Sequence, residues 1–222
     1  MASLHYDTTD RLRHLPFASA AALRENVITA MNVFITRTPA EFDEAYERLR
    51  HANALGCDTE TSGLNSRFAK LYSIQFSDGD FNVLVPLSEG IEMGRLADIL
   101  ADAAITKIFH NAKFDLDFLG AASVPVANVF DTMIAEKVLT RGANQSASLA
   151  ETLYRYFAVD LDKAQRAKFT GNWDGIWTDD LVDYALADVV HLPRLMHEQN
   201  AWLNKLGLTE AFAAQMWKLN EK

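Results

Sequence analysis

The sequence predicts an α/β domain in which a mixed β-sheet is layered between helices. Three observations carry that expectation. Three β-rich runs succeed one another with connections short enough to require antiparallel neighbours, strand-like and helix-like segments then alternate, and the last third of the chain is mainly helical. At 222 residues, with 49% hydrophobic and 23% charged positions, the chain suits one core with an appendage.

Taken in order, residues 1–30 show no strong pattern beyond one candidate helix, SAAALRENVITAM, and are read as an N-terminal extension. NVFITR (32–37) is strand-like. TPAEFDEAYERLRHA then starts a helix: Thr38 is placed as N-cap, Pro39 at the first helical position and Glu41 to close a capping box, with Phe42, Ala45, Tyr46 and Leu49 at helical spacing. ALGCDTE (54–60), KLYSIQFS (70–77) and FNVLVPL (81–87) are the three antiparallel strands, the last two joined by SDGD. A helix is expected over about 91–103, a strand at TKIFH (106–110) and a helix from near Lys113. From there the expectation is mainly helical, with a loop at FTGNWDGIW (169–177).

Composition removes several function classes. A single cysteine, Cys57, excludes a disulfide framework and a multi-cysteine zinc site, and it reads as a small buried apolar residue. No apolar run approaches the roughly 20 residues of a membrane span, and the N-terminus lacks the order of a secretory signal. Asp7, Asp10 and Glu25 argue against a transit peptide, so a cytoplasmic protein without membrane contact is expected. A formal charge of −9 is unusual for a chain that touches nucleic acid, unless acids are gathered at a metal site and basic charge is local. Residues 137–170 do hold six Lys or Arg against three Asp or Glu.

The acids themselves form a pattern. Asp58 and Glu60 are two apart on a strand and share a face, while Cys57 and Thr59 point the other way. Alone, the pair fits a solvated edge strand equally well. In HNAKFDLDFL (110–119) Asp115 falls in the first turn of a helix whose apolar side carries Phe114 and Phe118; an acid there, Asp117 included, also serves as a partner of the helix dipole. In DYALADVVHL, Tyr184 and Asp188 are four apart and share a helical face, with Leu181, Ala185 and Val189 on another. Four converging carboxylates raise each other's pKa, an objection that divalent cations remove. Oxygen ligands favour Mg²⁺ or Mn²⁺, and a pair of such ions suits in-line displacement at phosphorus.

DTETSGL, HNAKFDLDFL and YALAD resemble the three motifs of the DEDD superfamily of 3′–5′ exonucleases, in the subclass with Tyr in the third motif. LAETLYRYFAVDLDKAQRAKFTGNWDGIWTDDLVDYALADVVHLPRL resembles the matching region of ribonuclease D and of the proofreading domains of family A DNA polymerases. The likeness spans about residues 31–206, leaving 207–222 as a C-terminal helix. It implies a ribonuclease H-like fold, three antiparallel strands and then parallel ones flanked by helices. It also implies a two-metal hydrolase releasing 5′-mononucleotides from the 3′ end of single-stranded DNA or RNA. Asp58, Glu60, Asp115 and Asp188 would hold the two ions, Asp58 bridging them, and Tyr184 would orient the nucleophile. Thr61, Leu64, Asn111 and Lys163 would contact substrate, Leu64 as a wedge beside the terminal base; Leu64 reads equally well as a core leucine and Asn111 as a strand-end asparagine. Trp173 is read as packing more than base stacking, His191 as a helix-face residue, and Trp202 and Trp217 as packing of the C-terminal helix. The alternatives are an inactive exonuclease-fold module that binds nucleic acid or a protein, or the proofreading piece of a longer polymerase. Oligomeric state is not fixed by any of these motifs.

Overall fold

The structure, a computed structural model, describes residues 32–141, 143–161, 168–169 and 173–220. Its centre is a six-stranded mixed sheet of order β1-β4-β3-β2-β5-β6. The strands are β1 (Asn32–Ile35), β2 (Ala54–Thr61), β3 (Leu71–Ser77), β4 (Phe81–Val85), β5 (Thr106–Phe109) and β6 (Val129–Asp131). β2, β3 and β4 form the expected antiparallel meander. β1 joins β4 in parallel, and β5 and β6 extend the sheet in parallel beyond β2.

Eight α-helices are described: α1 (Pro39–Leu49), α2 (Leu96–Ala101), α3 (Ala112–Ala121), α4 (Thr132–Leu139), α5 (Leu149–Phe157), α6 (Asp179–Ala187), α7 (Leu192–Lys205) and α8 (Thr209–Asn220). α1 begins as its sequence dictates: the Thr38 hydroxyl accepts from Glu41 N while the Glu41 carboxylate accepts from Thr38 N, with Pro39 in the first turn.

Strand register assigns the two faces. Leu55, Cys57, Ile74, Phe76, Val83, Val85 and Phe109 lie on one face and form the main core with Ala45 and Leu49 of α1, Leu96, Ile99 and Leu100 of α2, and Leu119 of α3. Burying side chains of this size contributes about 1.5–3 kcal/mol each, so this face anchors the fold. The other face carries Gly56, Asp58, Glu60, Ser73, Gln75, Ser77 and Asn82 and is covered by the late helices: α6 meets β3 and β4, and α7 meets β2 and β5. One face is the main core; the other mixes these polar residues with the buried Leu84 and Ile108 and is largely buried too.

Two expectations need correction. The helix foreseen over 91–103 is confined to Leu96–Ala101, after a short 3₁₀ turn at Leu87–Glu89, because Gly94 takes a left-handed φ of 51° that no α-helix can include. The stretch after α3 is mainly helical as expected, and also holds β6 at Val129–Asp131, a strand too short to show a periodicity. The long final helical run is interrupted between Asp188 and His191, and α7 restarts with Pro193 in its first turn, where a missing N–H is harmless. Residues 1–30, including the candidate helix there, lie outside the described residues. No described helix is long and apolar enough to cross a membrane.

Candidate functional site

The sheet changes pairing partner where β2 leaves β5. β2 and β5 are in register only from Ala54↔Thr106 to Gly56↔Ile108, so beyond Gly56 the flank of β2 is open. At Asn111 the chain takes a left-handed φ of 72°, a conformation that a short amide side chain tolerates better than most, and turns into α3. The first turn of α3 brings Asp115 against the open flank, where the Thr59 hydroxyl donates to its Oδ1 at 2.7 Å. Asp131 fixes this turn: its carboxylate accepts from Asn111 N (3.2 Å) and Ala112 N (2.8 Å) while also capping α4 through Met133 N and Ile134 N.

From the polar face of the sheet come the other acids. Asp58 and Glu60 project together, as the two-residue period of a strand requires, and Asp188 arrives at the C-cap of α6. Carboxylate oxygens of Asp58, Glu60 and Asp188 lie within 4.8 Å of one another. Asp188 stands at the negative end of a helix dipole, where an acid is disfavoured, whereas Asp179 and Asp180 occupy the favourable first turn of the same helix. Helix stability therefore does not account for Asp188.

The electrostatics are unfavourable without a cation. Burial first, and then the charges of Asp115, Asp188 and Glu60, hold the Asp58 carboxyl well above the usual carboxylate range, opposed by the backbone N–H of Thr59. Burial pushes Asp115 up to about 7 against the hydrogen bond from Thr59. An all-oxygen donor set of this kind fits a hard divalent cation, whose charge would reverse the mutual repulsion.

Tyr184, one turn before Asp188 on α6, is held among aromatic rings. Phe169 lies 5.9 Å from it, and Phe169 in turn packs on Trp173 and Trp177, with Tyr72 of β3 edge-on to Trp173 at 4.7 Å. The Trp177 indole N–H donates to the Ser88 hydroxyl at 3.1 Å and anchors the segment. Trp173 thus packs, as its sequence context suggests.

Among the proposed substrate contacts, Thr61 ends β2 with its hydroxyl donating to Gly63 O. Leu64 is 81% exposed, which removes the reading of it as a core residue. Asn111 is exposed at the N-cap of α3. Lys163 and Arg166 lie outside the described residues. Asp117 pairs with Lys113 at 2.7 Å across one helical turn, a surface role. His191 sits at the N-cap of α7, its pKa lowered by burial and then by Arg194. Trp202 and Trp217, expected to pack, are 43% and 69% exposed; the helical spacing around them does not reveal which face the rest of the molecule covers.

Four residues were not foreseen. Thr59 supports Asp115. Gly56 faces the turn after α6, where a Cβ would stand 2.4 Å from Val189 O, so only glycine lets Asp188 approach. Gln75 and Ser73 are the cross-strand partners of Asp58 and Glu60 on the same face; Gln75 Nε2 donates to Ser73 Oγ at 2.6 Å, and among the described residues Gln75 Oε1 has no hydrogen-bond partner. The signal for this pair is the i, i+2 placement of polar residues inside an otherwise apolar strand, at positions opposite the acids.

Comparison with known proteins agrees with this geometry. The sequence profile of a 3′–5′ exonuclease family matches residues 33–201. A ribonuclease D of Zymomonas mobilis is 33% identical over 174 residues, covering 71% of this chain and 43% of its own length. The chain spans less than half the length of that relative and of a ribonuclease D from Nitrobacter hamburgensis. Among solved structures, Brucella melitensis NrnC bound to pGG superimposes with a TM-score of 0.74 at 29% identity, over 85% of this chain and 90% of NrnC. The same protein has been described with bound Mg²⁺. Escherichia coli RNase D shares the fold, with a TM-score of 0.74 at 24% identity over 85% of this chain and 50% of that one. The chain belongs to the 3′–5′ exonuclease family, with the ribonuclease H-like sheet of its structural neighbours.

Proposed function

We propose that this protein is a metal-dependent 3′–5′ exonuclease that removes nucleotides from the 3′ end of single-stranded nucleic acid. One observation carries the reading: in a chain of this family, two acids of a central strand and one from the end of a late helix, Asp58, Glu60 and Asp188, bring carboxylate oxygens within 4.8 Å of one another, and the charge of Asp115 at a strand-to-helix junction bears on Asp58. The Brucella relative's complex with pGG and the ribonuclease D relatives support a nucleic acid ligand.

Asp58, Glu60, Asp115 and Asp188 would hold two divalent ions, Mg²⁺ or Mn²⁺. Bound there, such ions acidify water and neutralise charge on the phosphate and on the departing 3′-oxygen. The chain's own residues position the reactants. The Thr59 hydroxyl, donating to Asp115 Oδ1, would hold that carboxylate toward the site. The Tyr184 hydroxyl, held in place by the ring packed against Phe169, would orient the water for attack in line with the bond to the 3′-oxygen. Water supplies the new P–O bond and a proton reaches the leaving 3′-oxygen, giving a 5′-mononucleotide and a shortened strand. Thr61, Leu64 and Asn111 would hold the terminal nucleotide, and Lys163 a phosphate.

The test is incubation of 5′-labelled single-stranded DNA and RNA with Mg²⁺ or Mn²⁺ and then with EDTA. A ladder shortening by single nucleotides from the 3′ end, abolished by EDTA, is expected. Binding without any shortening would identify a non-catalytic nucleic-acid module instead, and cleavage of a circular substrate would mean an endonuclease.

A further inference from the structure

Residues 62–70 join β2 to β3 at the end of the sheet where the acids gather, and they form a closed loop. Ser62 N donates to Lys70 O (2.9 Å) and Lys70 N to Ser62 Oγ (2.8 Å). Within the loop, Phe68 N and Ala69 N both donate to Asn65 O, and Arg67 N to Asn65 Oδ1. A loop tied at this many points holds its side chains where the backbone puts them.

It holds two large apolar ones in water. Leu64 is 81% exposed and Phe68 is 86% exposed. The turn at the opposite end of β3 makes the contrast. Asp78, Gly79 and Asp80 there are tied by Asp78 Oδ1 accepting from Asp80 N and Phe81 N, and the turn carries no apolar side chain. A β-turn needs polar or flexible residues, so folding explains the composition of the far turn and not that of the near one. Arg67 and Lys70 on the near loop are both exposed, and no acid lies between Glu60 and Asp78. Through the Ser62–Lys70 closure, Phe68 stays within about 20 Å of the Glu60 backbone, a reach of a few nucleotides.

We propose that Phe68 is a stacking platform for a nucleobase upstream of the 3′-terminal one, with Arg67 and Lys70 meeting neighbouring phosphates. The assignment rests on the exonuclease reading of the carboxylate site. An aromatic face accepts any base, so the platform fixes strand position without reading sequence, and it requires an unpaired base. It adds to the site a preference for strands long enough to reach the loop.

Equilibrium binding tests it. Fluorescence anisotropy of a 5′-labelled single-stranded oligonucleotide, with Ca²⁺ in place of Mg²⁺, is measured for the wild type, Phe68→Ala and Phe68→Trp. The intact strand is compared with strands carrying one abasic nucleotide at the second to fifth position from the 3′ end. The wild type should lose roughly tenfold in affinity at one abasic position. Phe68→Ala should lose the same factor on the intact strand and nothing more at that position, and Phe68→Trp should behave as the wild type. Melting temperatures, expected to be equal for a side chain this exposed, control for folding. Wild-type affinity of Phe68→Ala for the intact strand, or an abasic penalty that persists undiminished in it, overturns the proposal. Absence of cleavage by the Mg²⁺-loaded wild type would sink the exonuclease reading alone, because the anisotropy pattern decides the platform independently.

Discussion

Asp131, Glu136 and Asp115 are equally buried, at 2%, 3% and 2% exposure, yet their surroundings have little in common. Asp131 accepts four backbone N–H groups at the start of two helices. Glu136 accepts from the Arg155 guanidinium at 3.0 Å and from Gln199 Nε2 at 3.1 Å. Asp115 has the Thr59 hydroxyl and the backbone N–H groups of Thr59 and of Asp115 itself, yet burial still raises its pKa, and with Asp188 and Glu60 it bears on Asp58 with like charge. The fold spreads one set of acids among separate donors and crowds the other set together. Asp131 and Glu136 are each matched by donors from the fold, whereas the acids around Asp58 are marked by the like charge they bring against one another.

Removing an acid from each set gives the largest expected contrast. Asp58→Ala with Glu60→Ala should lower exonuclease turnover by at least about a thousandfold, since metal-centred stabilisation of a phosphoryl transition state is worth several kcal/mol. The melting temperature of the metal-free protein should hold or rise as like-charge repulsion is relieved. Glu136→Ala should do the reverse, costing about 2 kcal/mol or more by stranding Arg155 and Gln199 while the folded fraction keeps its turnover. A metal-free melting temperature that drops in the double variant would place Asp58 and Glu60 among the structural acids.

Gly56 lies where the acidic site depends on close packing of the polar face. A Cβ there meets the Val189 carbonyl oxygen at 2.4 Å and Leu192 Cβ at 3.1 Å. Backbone cannot yield as a flexible side chain does, so Gly56→Ala should displace the turn that follows Asp188. Overpacking of this kind costs about 1–3 kcal/mol, and an ångström of misplacement at a catalytic group costs about a hundredfold in rate. Both losses should appear together, in thermal melts and in steady-state turnover. A stable variant with full turnover would show that the approach of Asp188 does not depend on this glycine.

How much of this was legible beforehand follows from how local each cause is. The two-residue period placed Asp58 and Glu60 on one face, a helical spacing of four related Tyr184 to Asp188, and Thr38, Pro39 and Glu41 announced α1 within a single turn of sequence. Thr59 was assigned to the opposite face, correctly, but that this face leads to Asp115 depends on β5 ending its pairing at Gly56, which is a property of the sheet. The roles of Gly56 and Gln75 likewise required register and the docking of α7, and Asp131 became a shared cap only once β6 brought it beside Asn111. The exposure of Trp202 and Trp217 was not legible, because an amphipathic pattern says that a helix has an apolar face and not what meets it.

Acidity separates the two regions by sign. Burial lowers the His110 pKa to about 4, below its ordinary 6.5, and its Nδ1 lies 2.9 Å from the Thr132 hydroxyl, which itself donates to Phe109 O. The native state therefore binds fewer protons than the unfolded chain between those values. The contribution is fully present above about pH 6.5 and is lost as pH falls toward 4, by about 3 kcal/mol in all. Asp115, raised to about 7, does the opposite in the metal-free protein: its contribution is present below its ordinary 3.8 and is lost as pH rises to about 7. In EDTA the wild type should show the two trends partly cancelling, and His110→Asn should expose a steady loss of melting temperature from pH 4 to 7. Parallel curves for the two proteins would refute the assignment to His110.

Thr59→Val makes the finest cut, since valine keeps the shape of the side chain and removes only the hydroxyl that touches Asp115. If Asp115 were a structural acid like Asp131, losing one hydrogen bond would cost about 1 kcal/mol of stability and leave metal affinity alone. If it is a ligand, the same deletion frees the carboxylate to swing, and loss of such an outer partner typically costs ten- to a hundredfold in metal affinity. Mn²⁺ titration followed by electron paramagnetic resonance reads affinity without turnover, and a thermal melt in EDTA reads stability without metal. Affinity should fall at least about tenfold while the melting temperature moves by only a few degrees. An unchanged Mn²⁺ isotherm beside a lowered melting temperature would move Asp115 from the acids held for a cation to those that hold the fold.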